Sequence, residues 1–386
     1  MASAEFQYEA DPDPMDFAEG AHAKRVGRIS GEVRARPDGL RLKLVRDQAE
    51  NGKGVAQGNT NTAAYKRKGH PVYTGDLTNI LNLDVEGRTV VVEGAVRMVE
   101  LCRATLAAGL MPPVVPGETF TVAGLISGGG IDASSSRHGL FFTSLVSMEV
   151  VLANGDVVLA DGANELKDLF EMIPHSYGTV GLVVAARLRL IPAGDCVVST
   201  YRHYRELELY GKAMRDALEG AHARGAPHEF VEGLVYGPNS YVLVTTEWGH
   251  TRDPATKLLP NFETWGAKAH GNEWYFQHAE STAKKKQTQK QKGGGGVASG
   301  DGGSGVLGVV DRMPTLDFVF RHQRGFMWVV DMYVNNGCLT KSRCGRRKVD
   351  DAVADKVARG QEGKGLLTQS EMERCRVFQV RVTRLS

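Results

Sequence analysis

Residues 121–139 read TVAGLISGGGIDASSSRHG, an apolar opening followed by three glycines and, three residues on, three serines, set between strand-like segments. Glycine loses more backbone entropy on folding than any other residue, so a triple glycine marks a turn or a close backbone approach. Stripped of side chains, Gly124, Gly128, Gly129 and Gly130 expose N–H groups able to converge on an anion. Thr121 and the serines Ser134, Ser135 and Ser136 add neutral hydroxyl donors. The combination suits a pyrophosphate held without metal or lysine. A GxxxxGK[ST] phosphate loop is excluded because no lysine follows the glycines, and the spacing does not fit a GxGxxG fingerprint. A plain glycine turn between core strands remains the alternative.

A chain of 386 residues, 42% of them hydrophobic, can bury at least one full core and is long enough for two domains. Its 47 Lys+Arg nearly cancel 45 Asp+Glu, which argues against a nucleic-acid binder. Cys102, Cys196, Cys338, Cys344 and Cys375 form no CxxC pair, the pattern of reduced cytoplasmic thiols rather than of a disulfide framework or metal site. The acidic, polar start is no signal peptide. The most apolar run, 179–193, is broken by Arg187 and Arg189 and is too short to span a bilayer.

Along the chain, residues 1–38 read as a disordered or loosely docked leader. Strands are expected at 40–45, 80–84, 89–93 and 179–191, with helices at 96–108, 164–172 and 207–223. Apolar runs on either side of Asn154-Gly155 predict a hairpin. Strands are also expected at 229–236 and 241–246. The tract 284–305, basic and then glycine-rich, has almost nothing apolar to bury and reads as a flexible insertion. Residues 316–334 regain ordered character, and 345–386 stay unassigned.

The runs PPVVPGETFTVAGLISGGGIDASSSRHGLF, VVLANGDVVLA and DLFEMIPHSYGTVGLVVAARLRLIP together resemble the FAD-binding (PCMH-type) domain of the vanillyl-alcohol oxidase superfamily. More narrowly, they resemble the delta-24 sterol reductases of the Diminuto/Dwarf type. The likeness continues through HEFVEGLVYGP, WYFQHAE and RHQRGFMW, so it spans about residues 40 to 334 in order. It implies an α+β fold: a two-subdomain FAD-binding domain at 39–194, then a partial α+β substrate cap at 195–344. It also implies that the pyrophosphate segment runs through Thr121, Val122, Ala123, Gly124, Leu125 and Ile126. The segment continues with Ser127, Gly128, Gly129, Gly130, Ile131, Asp132, Ala133 and Ser134. Gly178, Gly181 and Val183 form a second flavin-facing segment by the same resemblance. No histidine occupies position 136, where some flavoproteins of this fold attach the cofactor, so FAD is expected to be non-covalent. The first phosphate loop, near GNTNT at 58–62, is recognisable only as a polar turn.

The family reaction reduces the 24(25) double bond of a sterol side chain, with NADPH as electron donor. No metal enters it. An isolated alkene offers no oxyanion to stabilise, so the protein must position it and supply a proton. Donor candidates are His322, Tyr177 and His278. Arg321 and Arg324 are expected to hold anionic groups or to be solvated loop charges. Phe318, Phe320, Phe326, Trp328 and Tyr333 read as an aromatic strand, either pocket lining or plain core. The family's hydrophobic anchor is missing, so a cytoplasmic protein touching the endoplasmic reticulum membrane peripherally is expected. The rival readings are a flavin oxidase or dehydrogenase of a small alcohol or sugar, and a truncated FAD-binding remnant without turnover.

Overall fold

Ala153, Asn154 and Gly155 turn the chain within three residues: Gly155 sits at φ 85° with its N–H on Leu152 O at 2.9 Å, and Leu152 N–H bonds to Asp156 O at 2.8 Å. The strands on either side pair antiparallel as the sequence predicts. The computed structural model describes residues 20–45, 69–223, 228–251, 275–290 and 308–322. The chain divides into two units, Met1–Asp195 and Cys196–Ser386.

The first unit opens with α1 (Ala21–Arg34), β1 (Arg41–Val45), β2 (Gly69–Tyr73), β3 (Ile80–Asp84), β4 (Thr89–Glu93) and α2 (Met98–Leu106). It continues with β5 (Leu110–Met111), α3 (Val122–Gly128), α4 (Ser135–His138), β6 (Leu145–Val151) and β7 (Val157–Asp161). It closes with α5 (Lys167–Met172), β8 (Leu182–Arg189) and β9 (Ile191–Pro192). The main sheet has the antiparallel order β3-β4-β8-β6-β7, while β1 and β2 pair in parallel and β5 with β9 antiparallel. Strand β8 is buried along nearly its whole length because it lies at the centre.

The second unit contains β10 (Cys196–Tyr204), α6 (Leu207–Ala223), β11 (Phe230–Gly237), β12 (Ser240–Gly249), α7 (Tyr275–Lys290), β13 (Val309–Pro314) and α8 (Thr315–Val319). Its antiparallel sheet has the order β11-β12-β10-β13. α6 covers one face, where Tyr210, Ala213, Met214, Ala217 and Leu218 pack on Tyr204, Val231, Tyr241 and Leu243. Mixed helix and sheet in both units is the α+β class read from the sequence.

Three expectations need correction. Residues 21–34 of the supposed leader form α1, which buries His22, Val26, Ile29, Ser30 and Val33 at helical spacing. Val26, Ile29 and Val33 join Val72, Leu77, Val151, Leu182 and Val184 in one core. An isolated helix of this length is marginal in water, whereas each fully buried Val or Ile contributes roughly 1.5–3 kcal/mol. Docking therefore decides. Residues 284–290 of the supposed insertion continue α7, since Lys, Gln and Thr without glycine extend a helix and Lys284 pairs with Glu280 one turn back. Phe318 lies on the short helix α8 rather than on a strand. Pro314 sets the entry at φ −54°, and Phe318 packs edge-on against Phe230 at 4.9 Å as plain core. Residues 1–19, the GNTNT loop, Arg324, Phe326, Trp328, Tyr333 and the tail from 345 lie outside the described residues. No helix among the described residues is long and apolar enough to cross a membrane.

Candidate functional site

The apolar half of the glycine segment is helical. In α3, Val122, Leu125 and Ile126 are buried on the i, i+3, i+4 face. The N–H groups of Val122 and Ala123 bond to Val96 O (3.0 Å) and Gly94 O (2.9 Å). Gly94 permits that approach, because a Cβ there would stand 3.1 Å from Ala123 Cβ of α3 and 2.5 Å from Val183 O of β8. The start of α3 is thus sewn to the end of β4. These first two N–H groups serve the fold rather than a ligand.

The helix ends at Gly129, whose φ of 74° is left-handed and whose N–H bonds to Leu125 O. A Cβ at Gly129 would lie 2.0 Å from the His175 ring, so glycine is required twice over: by conformation and by space. A Cβ at Gly130 would meet Pro116 and Leu125, and one at Gly181 would meet Val150 at 2.5 Å. Gly128 and Gly178 face open space. The close approaches at Gly129, Gly130 and Gly181 are therefore to protein. Only Gly128 and Gly178 leave room for something else.

The second segment comes alongside. Tyr177 N–H bonds to Ser127 O at 3.0 Å, and the His175 ring meets Phe142 edge-on at 5.0 Å. His175, Tyr177 and Gly178 have φ of 60°, 53° and 74°. Two side-chain-bearing residues held at positive φ in one turn mark a strained segment, and such strain gathers at functional sites. Tyr177 is exposed and Val183 is buried in β8. His138 lies on α4, its carbonyl accepting from Thr143 Oγ1. Ser136 was among the hydroxyl donors read from the sequence, whereas His175 and Ser176 were not singled out; a positive φ has no sequence signature when the residue is neither Gly nor Asn.

The polar lining gives a test of fit. The hydroxyl oxygens of Ser134, Ser136 and Ser176 are buried and have no partner among the described residues. An unsatisfied buried hydroxyl costs about 1–3 kcal/mol, so three on two neighbouring segments need a ligand or water to pair with. Hydroxyl donors without a lysine suit the oxygens of a ribose-pyrophosphate. The residues present fit a dinucleotide such as FAD.

Beside this segment, His22 of α1 bridges two carboxylates of the sheet, Glu93 (2.7 Å) and Glu149 (2.8 Å), and Arg25 also reaches Glu93. Burial alone would lower the His22 pKa, but hydrogen bonds to Glu149 and Glu93 and their charge push it up to about 9. Burial alone would raise that of Glu93, but His22, Arg25 and Asn79 pull it down to about 2. This cluster clamps α1 to β4 and β6.

The second unit holds another polar cluster. Glu232, Val244 and Tyr201 form one cross-strand row, which puts carboxylate and phenol on the same face. Tyr275 of α7 donates to Glu232 Oε2 at 3.3 Å, and Arg321 Nε to the same oxygen at 3.2 Å. His322 Nε2 engages Glu232 Oε1. Burial works against ionisation of Glu232, but the charges of Arg321 and His322 outweigh it and hold the carboxyl well below the usual range. Next to it, His278 pairs with Asp311 at 2.7 Å and meets the Tyr201 ring edge-on. Burial pushes the Tyr201, Tyr236 and Tyr275 hydroxyls up, so they stay protonated. The structure thus brings His322 and Arg321 together through Glu232, and pairs His278 separately.

Residues 51–161 match the FAD binding domain family. The chain is 32% identical over 270 residues to the Delta(24)-sterol reductase of Arabidopsis thaliana, covering 68% of this chain and 44% of that protein. It is also similar to the Delta(24)-sterol reductase homolog of Caenorhabditis elegans (26% over 324 residues, 81% of this chain, 56% of that protein). With the Delta(24)-sterol reductase of Homo sapiens it shares 34% identity over 220 residues, 56% of this chain and 40% of that protein. The chain thus carries an FAD-binding domain and is similar to Delta(24)-sterol reductases of a plant, a worm and a mammal. It spans about half the length of the curated relatives it matches. Within such an FAD-binding domain, the matched region takes in the glycine segment and ends at the last residue of β7.

Proposed function

We propose that the protein is an FAD-dependent oxidoreductase that reduces the 24(25) double bond of a sterol side chain, with NADPH as electron donor. The observation that carries this reading is the set of three buried serine hydroxyls beside Gly128–Gly130 that have no partner among the described residues, within a domain of the FAD-binding family. Ser134, Ser136 and Ser176 would hold the ribose-pyrophosphate, with Gly128 and Gly178 leaving room for it. The remaining residues of 121–134, with Gly181 and Val183, shape the walls. FAD would be held without a covalent bond, since position 136 is serine. When bound, FAD supplies two-electron transfer between NADPH and the alkene. His322 and Tyr177, the latter exposed on the strained turn, are the candidate proton donors. The sterol assignment is supported by the relatives' names and by the motifs in the second unit that resemble them. We place the protein in the cytoplasm, in peripheral contact with the endoplasmic reticulum membrane.

Purified protein should be yellow, should bleach with NADPH, and should convert a sterol with a 24(25) double bond to the saturated product. Acid precipitation should release the flavin into the supernatant. Flavin kept in the pellet would overturn the non-covalent assignment. Bound FAD with no sterol reduction would favour an oxidase of another substrate or a remnant without turnover.

A further inference from the structure

His175 stands where the two segments of the first unit's candidate site meet. Its ring turns its Cε1 edge to the end of α3: a Cβ on Gly129 would lie 2.6 Å from its Nδ1 and 2.8 Å from its Nε2. The Phe142 ring braces it edge-on at 5.0 Å, and the backbone holds it at φ 60°, where a residue bearing a Cβ is disfavoured. The residue is nevertheless exposed, and no described residue bonds to either ring nitrogen. Gly128, next to Gly129, and Gly178, just beyond His175, both face open space. Backbone donors of both segments are spent on the fold. The N–H groups of Leu125, Gly129, Ser176, Tyr177 and Thr179 bond to Thr121 O, Leu125 O, Ile173 O, Ser127 O and Ser176 O, and those of Val122 and Ala123 to Val96 O and Gly94 O. Ser134, Ser136 and Ser176 offer only neutral hydroxyls. Taking the negative charge of a pyrophosphate out of water is costly unless it is paired and hydrogen-bonded. On α4, Arg137 and His138 already have interactions of their own. An imidazole at 175 supplies what the serines lack, an N–H donor in either protonation state and a positive charge in one of them.

We propose that His175 is a cofactor-binding residue that donates a ring N–H to the pyrophosphate of the bound dinucleotide. This rests on the reading of the first unit as a flavin site. The strained backbone then has a use: positive φ at His175 and Tyr177 turns the imidazole onto Gly129, while Tyr177 N–H ties the turn to Ser127 O. Only a residue without Cβ at 129 lets the ring lie there. Ser176, the next residue, brings its buried hydroxyl to the same cradle. The cradle thus combines three neutral hydroxyls with one imidazole.

Calorimetric titration of FAD into flavin-free protein is the test. His175→Phe keeps a ring against Phe142 and Gly129 but has no N–H, so its FAD affinity should fall at least about tenfold, the value of one hydrogen bond to a charged group. Its flavin-free melting temperature should stay within about 2 °C of the parent's, since no bond within the protein is lost. His175→Asn accepts a positive φ and keeps an N–H donor, and should restore part of the affinity. In the unaltered protein, FAD should move the nitrogen-15 signals of the His175 ring, assigned by their loss in His175→Asn. That measurement holds even where His175→Phe does not fold. Affinity in His175→Phe within about twofold of the parent's would overturn the proposal, as would ring signals that do not respond to FAD. Equal losses in His175→Phe and His175→Asn, with both melting temperatures lowered alike, would also overturn it and leave the ring a packing role. Unaltered protein that binds no FAD would instead defeat the flavin reading.

Discussion

At the scale of single residues, two kinds of glycine and one kind of serine make up the first unit's candidate site. Gly129 is required by its left-handed φ and by His175, so Gly129→Ala should destabilise the fold by about 1–2 kcal/mol, read from the urea midpoint. Gly128 is helical with open space on its Cβ side. Gly128→Ala should therefore leave stability equal or slightly raised and alter only flavin affinity. The serines make the opposite pairing. Ser134→Ala and Ser176→Ala each remove a buried hydroxyl that has no partner among the described residues. The flavin-free protein should then be unchanged or slightly more stable, while FAD affinity falls by about 5- to 10-fold, the value of one hydrogen bond. Equal affinity in calorimetric titration would take these hydroxyls out of the site.

At the scale of elements, α1 is held to the sheet by apolar contacts and by the clamp of His22, Arg25, Glu93 and Glu149. The folded pKa of His22 is raised to about 9, so its contribution is complete below the ordinary value of 6.5 and is lost as pH rises from there through 9. The folded pKa of Glu93 is lowered to about 2, so its contribution is complete above 4.5 and is lost as pH falls from there through 2. The clamp should be strongest between these windows, at about pH 4.5–6.5. Removing one partner of a buried pair costs about 3–5 kcal/mol. His22→Gln should lower stability by about that much at pH 6, and its deficit should shrink by pH 9.5. Thermal unfolding of both proteins across that range measures it. A deficit independent of pH would mean that packing, and not charge, holds the helix.

At the scale of the whole molecule, every residue assigned to the flavin cradle lies in Met1–Asp195, while the Glu232 cluster lies in Cys196–Ser386. Each unit has its own sheet and its own buried residues, as expected of domains able to fold alone. A protein ending at Asp195 should still retain FAD through gel filtration, read from its visible absorbance, and should show no sterol reduction. Loss of flavin from that shortened protein, with its secondary structure intact, would place part of the cofactor site outside the first unit.

The sequence by itself determined the elements whose signals are local. Asn154-Gly155 between apolar runs gave the hairpin, and the strands at 80–84 and 89–93 and the helix at 207–223 fell where their periodicity put them. Ordered motifs over some three hundred residues pointed to the flavin family. The tertiary structure alone decided what depends on a partner distant in the chain. Composition gives α1 a charged, disordered look, yet its arginines and His22 become stabilising once β4 and β6 supply Glu93 and Glu149. The apolar opening of the glycine segment became a helix because its buried face meets the sheet, and that moved the candidate cradle towards Gly128 and the serines. Positive φ at His175 and Tyr177, and the pairing of His322 with a residue ninety positions earlier, have no local signature. Such features arise only when two segments meet, because the energy that fixes them is shared between both.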